Sequence, residues 1–193
     1  MHKGRLEAFS DGVIAVIITI LVLELRAPHG TDWSAIAPLV PAFVSYVLSF
    51  IYLGIYWSNH HHLLQAASHV NGAVLWANLH ILFWLSLIPF VTGWMSENEF
   101  AAVPVAIYGF DLLMAALAYY ILERTLIVAQ GPESRLKMAV GAEIKGWVSV
   151  GIYVTGVLVA LLWTPWVALA LYALVALMWL IPDRRIERAL GRQ

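Results

Sequence analysis

The 193-residue chain has no cysteine, and only 12% of it is Asp, Glu, Lys or Arg. Without thiols there is no disulfide, no thiolate-held metal and no cysteine nucleophile. A soluble domain carries about a quarter charged residues, so the shortage of charge excludes an ordinary globular enzyme, a disordered tail and a nucleic-acid binder together. The formal net charge of −1 offers nothing to a polyanion. A nucleophile elbow, a phosphate-binding glycine loop and a paired-carboxylate hydrolase site are missing as well. What is abundant is apolar: 62% of residues are hydrophobic and the mean hydropathy is +0.80, the composition of an integral membrane protein.

The charge-free runs divide into spans. Trp33 to Ser96 contains no Asp, Glu, Lys or Arg and is too long for one crossing, since about 20 helical residues cover a core of about 30 Å. The polar knot Ser58-Asn59-His60-His61-His62 separates two spans, near 36–60 and 73–95. A second charge-free run, Gly146 to Pro182, breaks at Thr164-Pro165 between Trp163 and Trp166, giving spans near 146–163 and 165–182. Residues 101–124 form another span, opened by Pro104 and interrupted by Asp111. The first span, near 5–25, is bracketed by Arg5, Glu7, Asp11 and Glu24. Acids on both sides of its apolar core, and a poor cleavage site at Arg26-Ala27-Pro28, argue against a signal peptide. The expectation is an all-α, six-helix membrane bundle over residues 1–182 with a short tail, 183–193. Lys3, Arg5, Arg124, Arg135, Lys137, Lys145, Arg184, Arg185, Arg188 and Arg192 fall on the side of the termini and only Arg26 opposite, which places both termini in the cytoplasm.

Ionisable residues within spans are costly in lipid and are therefore functional candidates. Glu7 and Asp11 share a helix face as like charges, so each favours a donor from another helix. Arg5 stands about 240° around the helix from Asp11 and cannot easily serve it. Trp57, Asn59, His60, His61, His62, Asn78 and His80 are the available donors, or Arg5 from a neighbouring subunit. Whether this cluster gates, moves protons or only pins helices stays open at this level. Asp111 has no local cation and must face the bundle interior or a crevice. Three consecutive histidines point about 100° apart and do not converge on a metal. Val16, Thr19 and Leu23, with Ile20 beside them, form a stripe about 140° from Asp11 that periodicity leaves as lipid-facing, core or pore-lining.

The segment Arg5-Leu6-Glu7-Ala8-Phe9-Ser10-Asp11-Gly12-Val13-Ile14-Ala15, continued by Thr19-Ile20-Leu21-Val22-Leu23-Glu24-Leu25, resembles the prokaryotic TMEM175 family of potassium channels. So do Tyr56-Trp57 leading into His60-His61, Leu87-Ile88-Pro89-Phe90-Val91-Thr92 with Trp94-Met95, and Ile181-Pro182-Asp183-Arg184-Arg185-Ile186-Glu187. The resemblance implies a homotetrameric potassium-selective leak channel, without cofactor, whose permeant ion is K+ and whose first helix lines the pore. No Thr-Val-Gly-Tyr-Gly filter occurs in the chain. Carried over by the resemblance, Val16, Ile20 and Leu23 become the apolar constriction and Thr19 the selectivity layer. Arg5, Phe9, Ser10 and Asp11, with Trp57, His60 and His61, become an interhelical network behind the pore helix. The competing expectation is a proton-coupled secondary transporter using Asp11, Asp111 and the span-two histidines, although the chain has no clear pair of broken helices in matching halves.

Overall fold

A computed structural model describes residues 3–131 and 144–180. Arg135, Lys137, Ile181, Pro182 and the tail 183–193, all used above, lie outside the described residues. The described chain is helical: α1 (Lys3–Leu21), α2 (Val40–Ala66), α3 (Gly72–Glu97), α4 (Ala102–Gln130), α5 (Ile144–Leu162) and α6 (Pro165–Leu180). The first five are long and apolar enough to cross a bilayer, α1 together with the turn after it, whereas α6 has 16 residues. Three boundaries differ from the sequence expectation, one of them in α2, which continues through the polar knot of residues 58–62 to Ala66 instead of ending near residue 60. Regular α-helix in the first span stops at Leu21, and a tighter 3₁₀ turn, Val22–Glu24, carries the chain out. The fourth helix runs past Glu123 and Arg124 to Gln130, because a helix can leave the apolar layer without unwinding.

Local chemistry explains the ends. The Asn71 side chain accepts from the Val74 amide at 3.0 Å and so caps the start of α3. At its other end, Glu99 and Phe100 adopt φ of 52° and 58°, and the Phe100 amide reaches back to the Met95 carbonyl at 3.0 Å. Two non-glycine residues in the left-handed region cost about 1–2 kcal/mol each. Burial of the Phe100 ring, 5.2 Å from Trp166, offsets that cost. α4 ends at Gly131, whose φ of 91° suits glycine. Pro165 opens α6, where no amide hydrogen is needed.

α3 and α4 form the centre of the bundle. Half of the most apolar stretch of each is buried, against 28% for α1 and 22% for α2 and for α5. α1 packs on α2 and α3, α5 and α6 pack on α4, and α6 also touches α2. Leu53, Leu64, Val74, Ile81, Leu85, Ile88, Leu112 and Ala115 are among the fully buried side chains. Tyr172 of α6 is one too, and it fixes that helix: a Cβ at Gly109 of α4 or at Gly156 of α5 would overlap its ring or hydroxyl. Small residues at a helix crossing let helices approach where no water-driven force pulls them together. At one end of the bundle, the Lys3 ammonium donates to the carbonyls of Gln65 (3.1 Å) and Ala67 (3.0 Å), a cation at the carboxyl end of α2. Gln130 ties α4 to the same corner, accepting from the Ser68 amide and donating to the His69 carbonyl.

Candidate functional site: the free face of the first helix and the network behind it

α1 has two unlike faces. Leu6, Ser10, Ile14, Ile17 and Leu21 recur at steps of four, four, three and four and are buried against α2 and α3. The stripe Val16, Thr19, Ile20 and Leu23 lies on the other side, with Val16 55%, Ile20 45% and Leu23 74% exposed on the protomer. Among the described residues, none covers the outward side of these branched apolar side chains. The Thr19 hydroxyl donates to the Val16 carbonyl at 2.8 Å. Its hydrogen is thereby committed to the helix, and its oxygen presents lone pairs outward, the polarity a cation seeks.

Two hydrogen-bonded arms hold the buried face at the N-terminal end. In the first, His60 Nε2 donates to Asn78 Oδ1 at 2.7 Å, Asn78 Nδ2 donates to Ser10 Oγ at 2.9 Å, and Ser10 donates to the Leu6 carbonyl at 2.9 Å. Because the Asn78 amide spends its N–H on Ser10, its oxygen must accept from His60, which fixes the proton on Nε2. All three side chains are buried. In the second arm, Trp57 Nε1 donates to Asp11 Oδ1 at 3.1 Å, and the Trp57 ring stacks on His61 at 6.1 Å. His61 Nδ1 lies 3.2 Å from Glu7 Oε1. Each of the two acids that crowd one helix face therefore has its own neighbour on α2, Trp57 for Asp11 and His61 for Glu7.

Ser10, Asp11, Trp57, His60 and His61 are thus brought together, but Arg5 and Phe9 are not. Phe9 is 52% exposed, and Arg5 makes no hydrogen bond or ion pair among the described residues. The correction follows from helical phase: Arg5 and Phe9 lie on the free side of α1, so a role for them in the network needs a second chain. Asp111 belongs to neither arm and is buried inside the protomer. Asn78 and Glu7, which complete the arms, were visible in the sequence as polar residues near the same end of their helices, but nothing there ranked them above His80. The three histidines diverge: His60 enters the first arm, His61 the second, and His62 meets His61 edge to face at 5.7 Å.

Comparison with known proteins places this architecture. The family model described as the endosomal/lysosomal potassium channel TMEM175 matches residues 5–89, which hold α1, both arms and the start of α3 through Pro89. A potassium channel of Chryseobacterium sp. (strain P1-3) is 54% identical over 190 residues, 98% of each chain. The endosomal/lysosomal proton channel TMEM175 of Gallus gallus is 28% identical over 55% of this chain and 25% of its own length. The crystal structure of a lysosomal potassium-selective channel TMEM175 homolog from Chamaesiphon minutus superposes with a TM-score of 0.81, covering 93% of this chain and 96% of that one at 23% identity, a likeness of fold. The helices, their apolar surface and these relatives define a multi-pass, all-α membrane protein of the ion-channel class, not an enzyme. The chain belongs to the TMEM175 family.

Proposed function

We propose that the protein is a potassium-selective leak channel in which four copies surround one axis and the free face of α1 lines the pore. The observation that carries this reading is the exposed stripe itself: branched apolar side chains with one hydroxyl among them, whose hydrogen is already given to Val16. A single chain has one such helix, so an axial pore requires closed symmetry. Rings of Val16, Ile20 and Leu23 then form an apolar constriction that blocks ions by dewetting when narrow. The Thr19 ring offers four oxygens that replace part of a cation's hydration shell, and K+ is favoured over Na+ because its shell is cheaper to remove. The name of the Chryseobacterium relative, which aligns almost end to end, supports the choice of ion.

The two arms act behind the pore. They tie the buried face of α1 to α2 and α3, so that a change at Asp11-Trp57 or Glu7-His61 tilts the helix that carries Thr19 and Leu23. Six helices spanning residues 1–182 cross the cell membrane with both termini in the cytoplasm. Lys3, Arg5, Arg124 and Lys145, described at the N-terminal end of the bundle, and Arg26 at the other, follow the positive-inside pattern. The proton-coupled transporter requires Asp11 and Asp111 to serve one substrate. Asp11 is bonded to Trp57 beside the free face, and Asp111 is buried on α4. Reconstituted vesicles separate the two readings: a channel passes K+ down its own gradient with no proton gradient imposed, and a carrier without that gradient accumulates nothing.

A further inference from the structure

At the N-terminal end of the bundle, α4 finishes, α5 begins and α6 finishes beside one another. Cations and aromatic rings alternate there. The Arg124 guanidinium lies over the Tyr120 ring, 5.0 Å from its centroid, and the Trp147 ring meets the same tyrosine edge to face at 5.5 Å, which joins α4 to α5. Lys145 stands about 200° around α5 from Trp147 and so serves the opposite flank of that helix. Its ammonium lies 5.9 Å from the ring centroid of Trp179 on α6, whose indole donates to the Ser149 hydroxyl at 2.9 Å. Ser149 is buried and gives its own hydrogen to the Lys145 carbonyl at 2.8 Å, so the indole is held in one orientation.

Helical phase makes the outer surface of this corner basic. Glu123 is buried, and Arg124, one residue on, is exposed. Beyond Leu180 the sequence adds Arg184, Arg185, Arg188 and Arg192 against Asp183 and Glu187, all outside the described residues. Toward the middle of the bundle the same three helices turn apolar: Ile121 of α4, Val148 of α5, and Leu174 and Leu177 of α6 are exposed, each within about 10 Å along its helix of a cation or ring named above. Cation, ring and apolar surface thus follow one another along the helix axes, in the order of phosphate, glycerol and acyl chain in a phospholipid. The free face of α1 takes no part, since α1 packs on α2 and α3 and these helices pack on α4.

We propose that this corner binds the headgroup of an anionic phospholipid, with Arg124 and Lys145 supplying positive charge to its phosphate from either side of α5. A guanidinium takes phosphate oxygens through its planar fork, and an ammonium holds them as a point charge. Both cations already rest on rings, so less side-chain freedom is lost when a phosphate arrives. Charge complementarity selects the occupant: a zwitterionic headgroup brings a cation of its own, which the site repels, and an anionic one does not. Aromatic rings at the interface anchor any membrane protein, and the cations over two of them make this surface selective. Basic pockets between transmembrane helices are where acidic headgroups bind on the cytoplasmic side. In the proposed orientation the corner faces the inner leaflet, but binding depends neither on that orientation nor on the potassium reading.

The test is native mass spectrometry of the purified full chain, stripped of lipid in detergent and titrated with dioleoylphosphatidylglycerol or dioleoylphosphatidylcholine. The two share their acyl chains, so anchoring by rings alone binds them equally. The wild type is expected to hold the phosphatidylglycerol about 25-fold more tightly, and Arg124→Gln and Lys145→Gln each to lose about fivefold, the effect of one charge beside an anionic headgroup layer. The double variant should bind the two lipids alike. Each single variant stands as a test without the other, and unchanged thermal unfolding shows that it is folded. Arg124→Lys keeps the charge and should keep the preference. Arg26→Gln removes an exposed cation at the other end of the bundle and should leave the preference unchanged. An excess of sn-glycerol 3-phosphate should not displace the lipid. Equal affinity of the wild type for the two lipids overturns the proposal. So does a folded double variant with the wild-type preference, a loss in Arg26→Gln as large as in Arg124→Gln, or displacement by glycerol phosphate, which would make the corner a site for soluble anions.

Discussion

Asn78→Leu cuts the first arm at its middle. The leucine side chain matches the amide in size but can neither donate to Ser10, 2.9 Å away, nor accept from His60, 2.7 Å away. Interhelical hydrogen bonds in membrane proteins are worth about 0.6 kcal/mol on average and about 1.7 kcal/mol at most, because an opened chain finds other partners in the bilayer. Two bonds give about 1–3 kcal/mol. Complete burial of Ser10 and Asn78, and near-complete burial of His60, place the loss toward the upper end, since the stranded His60 N–H finds no water. The assay is reversible unfolding in mixed detergent micelles, followed by tryptophan fluorescence, on Asn78→Leu, His60→Phe and the double variant. The double variant should cost less than the sum of the singles by about 1 kcal/mol, because the shared bond is removed only once. Equal stability of Asn78→Leu and wild type, or strictly additive losses, would refute the arm as a cooperative unit.

Thr19→Val keeps the shape of the side chain and removes the ring of oxygens, so the ratio of K+ to Na+ permeability should fall while current persists, read from bi-ionic reversal potentials. Leu23→Ser places a hydroxyl at the most exposed position of the stripe; an apolar gate made wettable should raise the resting K+ flux severalfold in a vesicle efflux assay. Gly109→Ala drives a methyl into the Tyr172 hydroxyl; overpacking of this kind costs about 1–3 kcal/mol, and the same unfolding assay should show it, with Tyr172→Phe restoring part of the loss.

Much of the architecture was legible because charge is so scarce. Trp33 to Ser96 and Gly146 to Pro182 are each too long for one crossing and so were expected to hold two helices, and Thr164-Pro165 marked a break that the structure places between α5 and α6. The end of α4 was not legible: Glu123 and Arg124 look like the edge of a membrane span, yet the helix continues because its backbone bonds are internal wherever it lies. Periodicity separated the Val16-Thr19-Leu23 stripe from Asp11 but named no occupant for it, since a face free on one protomer is defined by what is not in the chain. Donors near Asp11 could be gathered from the sequence, but the choice of Trp57 over six others depends on how α1 crosses α2. The inward stripe of α2 was hidden for a different reason. Ser45, Ser49, Tyr52 and Tyr56 are each unremarkable in an apolar helix, and whether their shared face turns inward depends on how α2 packs on α3 and α6.

The central claim is that this chain assembles a K+-selective pore from its first helix. Its most direct test is the reversal potential of the purified, reconstituted protein under opposed potassium and sodium gradients. A protein-dependent current reversing toward the potassium equilibrium potential is the expected result, with the shift reduced in Thr19→Val. Ion uptake that appears only with an imposed proton gradient, or a current indifferent to which cation is present, would contradict it.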